Sequence, residues 1–214
     1  MSKSKGWFGE SKNQIWEQLV AELNQENPES KAELIEGNIS KPDAIRAHCG
    51  EWTLTLENVT TMVMIGKAMV PMQSTSFRVP YVNADAFRFK FYNQSAFSWL
   101  GKYFGMQDII IGDQLFDDSF VIQGTDEAKV RALLANEKIR QLIAAQPEIN
   151  LEVKDDEGWF GAKFPEGVDE LCFQATGHID DLKRLKQLFD LFAEILNQLC
   201  VIGSAYKKDP QVTL

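Results

Sequence analysis

The sequence predicts an α+β fold, with antiparallel sheet(s), an N-terminal helix, a central helix pair and a long C-terminal amphipathic helix. Three observations predict it. Phe87, Phe89 and Phe91 alternate with Arg88 and Lys90, the period-two pattern of a strand with one buried face. Leu182, Leu185, Leu188, Phe189, Phe192, Leu196 and Leu199 recur at helical spacing and form one apolar stripe. Strand-like segments precede helical ones in a block, without the regular alternation that builds a doubly wound parallel sheet.

Residues 1–11 read as a flexible lead. Ile15, Trp16, Leu19, Val20 and Leu23 share one helical face over residues 12–25, with Ser11 as the expected N-cap and Asn27-Pro28 as the stop. Residues 45–49 and 52–60 flank Gly50-Glu51, where glycine supplies the positive φ of a type II′ turn, so a hairpin is expected. Residues 61–72 are apolar almost throughout, interrupted at Gly66-Lys67. Phe77, Val79 and Tyr81 alternate next, followed by the phenylalanine strand. Residues 95–105 suggest a short helix between glycines, and Ile109-Ile110-Ile111 and Phe120-Val121-Ile122 suggest short strands.

After Gly124 the period changes. Thr125 is the expected cap of a helix carrying Val130, Leu133 and Leu134, and a second helix over 137–145 carries Ile139, Leu142 and Ile143. Ile149, Leu151 and Val153 open a meander that turns at residues 155–158, returns through 159–164 and ends in a strand over 168–177. Asp180 is the expected cap of the final helix, and residues 204–214 read as a polar tail. Residues 12–203 are expected to form one domain, with a boundary near residue 124 as the alternative.

Composition excludes several function classes. The formal charge is −9, and residues 101–214 hold twelve Lys and Arg against twenty Asp and Glu. Nucleic-acid binding draws on phosphate neutralisation by cations, so this acidity argues against it. No run reaches the roughly 18 apolar residues of a membrane span. The basic start lacks the apolar core of a secretory signal, and three cysteines without C-x-x-C spacing read as reduced thiols, so the expected location is cytoplasmic.

Catalytic chemistry has little to draw on. The chain has two histidines, and His48 and Cys49 are neighbours on a strand, where successive side chains point to opposite faces. No nucleophile-elbow, zinc-protease, P-loop or dinucleotide-binding motif occurs. The carboxylate groups at Asp113, Asp117, Asp118 and at Asp155, Asp156, Glu157 lack the alternating spacing of a calcium loop. No cofactor, metal or catalytic residue is assigned.

Two features point to binding instead. Met62, Met64, Met69 and Met72 fall in one stretch around Gly66-Lys67. Methionine is flexible and polarizable, suited either to an irregular core or to a surface that adapts to partners. If Gly66-Lys67 is a turn, two Met-bearing strands lie side by side. Gly6-Trp7-Phe8-Gly9 and Gly158-Trp159-Phe160-Gly161 repeat one phrase, and the segment from Trp99 to Gly105 echoes it. Trp7, Trp99, Trp159 and Phe160 either plug core edges or form an aromatic docking surface.

Phe116, Phe120, Ile122, Asp126, Leu133 and Leu134 fit a strand–turn–helix phrase. On those residues, within 116–134, the chain resembles a bacterial domain family of unknown function. The resemblance implies a bacterial origin and carries over no catalytic residue. The expectation is therefore a non-enzymatic interaction protein that contacts a protein or an apolar small molecule, with a homo-oligomer compatible. The alternatives are a small-molecule enzyme whose site is assembled from distant residues, or a structural oligomer subunit.

Overall fold

The computed structural model describes residues 10–37, 42–94, 107–155, 163–212 and 214. The elements in chain order are helix α1 (Glu10–Glu26), strands β1 (Glu33–Ile35), β2 (Ala44–Cys49), β3 (Trp52–Ile65), β4 (Ala68–Asn83), β5 (Phe89–Asn93) and β6 (Gln107–Asp108). Helix α2 (Gln114–Ser119), strand β7 (Phe120–Gly124), helices α3 (Glu127–Leu134) and α4 (Glu137–Ala144), strands β8 (Asn150–Lys154) and β9 (Val168–Thr176), helix α5 (Leu182–Val201) and strand β10 (Ala205–Tyr206) follow. Among the described residues one antiparallel sheet runs β1-β2-β3-β4-β9-β8-β5-β7-β6, and β10 pairs with β4 off that path. The fold is therefore mixed α and β with an antiparallel sheet.

Register sorts the two faces of the sheet. Leu34, Ile45, Leu56, Phe77, Phe173, Leu151, Phe91 and Ile122 are successive cross-strand partners, one apolar row from β1 to β7. One residue along each strand the partners become Glu33, Arg46, Thr55, Arg78, Cys172, Glu152, Lys90, Gln123 and Asp108. Because side chains alternate across a strand, the first row faces the core and the second faces away from it.

Helices cover the apolar face. The α5 rings of Phe189 and Phe192 lie 5.1 and 5.8 Å from the Phe77 ring. Trp16 and Leu19 of α1, Val130 and Leu133 of α3, and Ile139 and Ile143 of α4 join the same core. Phe87, Phe89 and Phe91 are all buried there, with Phe89 and Phe91 stacked at 4.8 Å.

Several boundaries depart from expectation. α1 begins at Glu10, so Ser11 lies inside it rather than capping it. Asn27 caps a short 3-10 turn, Pro28–Ser30, by accepting from the Glu29 N–H. α3 is capped by Asp126, while the Thr125 hydroxyl bonds the backbone of Arg88. α5 is capped by Asp181 rather than Asp180, its carboxylate accepting from the Lys183 and Arg184 N–H groups. At α3 and α5 a neighbour with an equally suitable side chain takes the cap. Ile109, Ile110 and Ile111 all lie outside any strand, and α2 has no counterpart in the sequence reading. The tail is not merely polar: β10 pairs with β4, and the Arg46 guanidinium donates to the Leu214 carbonyl. The expected helix over 95–105 and the meander's return arm lie largely outside the described residues.

Candidate functional site: an exposed apolar arm

β3 and β4 pair continuously from Thr55↔Arg78 to Ile65↔Ala68. Their neighbours stop far earlier. The last β2 partner on β3 is Glu57, and the last β9 partner on β4 is Ser74. Beyond those points the Gln73 carbonyl still accepts from the Gly177 N–H at 2.8 Å, and from there to the tip, among the described residues, the hairpin is a two-stranded arm with both outer edges unpaired.

The turn that closes the arm follows from its sequence. Gly66 has φ +64° and Lys67 lies outside the positive-φ region, the signs of a type II′ turn with glycine first. Gly50, with φ +61°, closes the β2–β3 hairpin in the same way, as its sequence predicts. Such turns match the right-handed twist of the strands they join. The two Met-bearing strands therefore do lie side by side.

Register then places the side chains. Met62 faces Pro71 and Met64 faces Met69 on the side that continues the core face. Thr61 faces Met72, Val63 faces Val70 and Ile65 faces Ala68 on the other side. Both sides of the arm are apolar. Met62, Met64, Ile65, Met69, Val70 and Met72 are exposed, Met64 to 70%. Together they present apolar surface on the order of 600 Å², at the upper end of the patches that monomers carry. Lys67 is the one charged residue between positions 58 and 77. Among the described residues these methionines do not pack into the core.

The two outer edges differ. Ile65↔Ala68 closes a two-residue turn and is a hydrogen-bonded pair, so pairs alternate from there and Met62↔Pro71 is non-hydrogen-bonded. Pro71 would have aimed an N–H outward and has none, which blunts the β4 edge. On β3 the backbone groups of Thr60, Met62 and Met64 point outward, and that edge stays open to pairing.

A second cluster lies on the polar face of the sheet. Glu152 sits between Lys90 at 3.1 Å and Lys154 at 3.0 Å, and Arg78 bridges Glu57 at 3.2 Å and Glu170 at 3.7 Å. Lys90, Glu152 and Glu170 are buried. Burial works to raise the Glu152 carboxyl, but Lys154 and Lys90 outweigh it and hold it below its usual value. Burial pushes the Glu170 carboxyl up despite Arg78 and Lys154. Burial likewise pushes the Cys172 thiol to about 11, so it is protonated at neutral pH and unsuited to nucleophilic attack. Glu57, Arg78, Lys90, Glu152, Lys154 and Glu170 each have an opposite partner here, the pattern of a paired structural network. Sequence reasoning missed this row, because it exists only once nine strands are in register.

The remaining candidates separate in space. His48 Nδ1 lies 3.1 Å from the Thr53 hydroxyl. Asp113 caps α2, and Asp117 accepts from the Ile111 and Gly112 N–H groups, so these two carboxylates serve the backbone. Asp155 pairs with Arg88 at 3.1 Å. The segment 116–134 is the end of α2, β7, a turn and α3. Trp7, Trp99, Trp159 and Phe160 lie outside the described residues. Comparison with protein-family models, curated proteins and solved structures finds no match to the chain.

Proposed function

We propose that the chain is a non-enzymatic interaction protein whose β3–β4 arm docks onto a partner protein. The observation that carries the reading is the exposure of six large apolar side chains on both faces of an arm that the sheet leaves uncovered. Unbroken apolar patterning on a strand belongs to segments covered on both faces. Here the cover comes from outside the described chain. A small ligand would cover one face of so long an arm and leave the other wet. A bilayer would cover both faces but leave the outward N–H and C=O groups of β3 without partners, each at a cost of several kcal/mol. A protein satisfies both demands, through apolar packing and strand pairing.

A photo-reactive amino acid placed at position 64 or 69 tests this in the cells that make the chain. The expected result is a discrete cross-linked adduct from both positions and none from position 201, an equally exposed apolar site on α5. An arm that yields no adduct, or the same adducts as position 201, contradicts the reading.

A further inference from the structure

We infer that the partner is a second copy of this chain, whose groove beside β7 receives the arm tip; this rests on reading the arm as a docking element. The groove is a cavity of about 730 Å³ at the far edge of the sheet, beside the start of β7. Ile110, Phe120 and Val121 supply apolar lining, and Asp108, Asp117 and Asp118 supply carboxylates. Ile110 is 70% exposed, an uncovered apolar side chain at the receiving site.

The two surfaces complement each other in charge. The arm tip is apolar around a single cation, Lys67, and the groove is apolar beside three carboxylates. Elsewhere the chain is net acidic and two copies repel, so this pairing selects one mode of approach.

Topology makes the contact reciprocal. β7 runs antiparallel to β3, so the start of β7 lies at the end of the sheet from which the arm projects. Four strand spacings separate β4 from β7, about 20 Å, and the arm reaches about 20 Å past its last β9 partner. A two-fold axis between two copies can therefore set each arm on the other's groove and close the pair. Met64, Ile65, Met69 and Val70 at the tip expose on the order of 400 Å², and two tips with the surfaces that receive them reach the roughly 1,200 Å² that a stable interface buries.

Sedimentation analysis of the full chain at micromolar concentration tests the inference, with far-UV circular dichroism verifying each variant's fold. Met64→Asp alters the arm and Ile110→Asp the groove, both at side chains 70% exposed. The wild-type chain should be dimeric, and each variant alone should dimerise on the order of 100-fold more weakly. Mixed in equal amounts the two variants should form a heterodimer, because one retains its groove and the other its arm. Lys67→Glu should weaken the dimer roughly tenfold, and Asp118→Lys in the same chain should restore it. A monomeric wild-type chain, an undiminished Ile110→Asp dimer or the absence of a mixed dimer overturns the inference. A monomeric chain whose arm still cross-links to a different protein overturns the second-copy partner and leaves the docking reading standing. An arm that cross-links to nothing overturns both.

Discussion

In the half of the β3–β4 hairpin that lies within the sheet, Leu54 and Leu56 face the core with Phe77 and Val79, while Thr55 and Arg78 point away. In the projecting half, Met62, Met64 and Met69 occupy one side and Val63, Ile65, Val70 and Met72 the other. The first half alternates because helices cover one of its faces. The second half has lost alternation, and nothing among the described residues covers either face. The same pair of strands thus carries two instructions. Alternation prescribes one dry face, and its loss prescribes two, whoever supplies the cover.

The largest expected effect falls on the sheet half. Phe77 is fully buried between Phe173 and the α5 rings, so Phe77→Ala should cost about 3–5 kcal/mol in urea unfolding. A loss near that of an exposed position would remove the contrast between the halves.

The polar face sharpens the contrast by a second mechanism. Glu152→Gln removes the carboxylate that bridges buried Lys90 and Lys154 and should cost about 1.5–3 kcal/mol at neutral pH. Burial and the two lysines leave Glu152 below its usual value, so its contribution is fully present above the unfolded value near 4.5. It is lost as pH falls through the lower folded value. The stability difference between wild type and Glu152→Gln should therefore be larger at neutral pH than in acid. Glu170 is raised chiefly by burial but also by the charge of Glu152, so its share does not cancel fully and opposes part of the difference at neutral pH. A difference that grows in acid would contradict the assignment.

The smallest effect should come from the arm. Met64→Ala should change unfolding free energy by no more than about 0.5 kcal/mol in the monomeric chain, because that side chain has no core to leave. A cost comparable with that of Phe77→Ala would place the arm in the core.

How far these features were legible in the sequence varies with their range. The final helix and the Gly50 hairpin depend on local periodicity and turn chemistry and read directly, whereas the phenylalanine strand reads two residues early: β5 starts at Phe89, and Phe87 is buried ahead of it. Caps slipped by one residue at Asp181 and Asp126 because Asp180 and Thr125 offer competing oxygen acceptors. α2 is six residues long, too short for a periodic signal, and only the Asp113 cap could have marked it. The row from Glu33 to Asp108 depends on cross-strand register between distant segments, which no local pattern encodes. The arm was half legible: its apolar run and its turn could be read, but its exposure depends on where β2 and β9 end. Trp7, Trp99, Trp159 and Phe160 fall outside the described residues.

The most direct test of the arm's role is the unfolding free energy of a chain that lacks it. Replacing residues 62–71 with Asn-Gly keeps Thr61↔Met72, a hydrogen-bonded pair of the kind that a two-residue turn closes. Measured where both chains are monomeric, the shortened chain should unfold cooperatively within about 1 kcal/mol of the full chain. A loss of several kcal/mol would make the arm part of the fold, and would contradict its role as a surface held out for another protein.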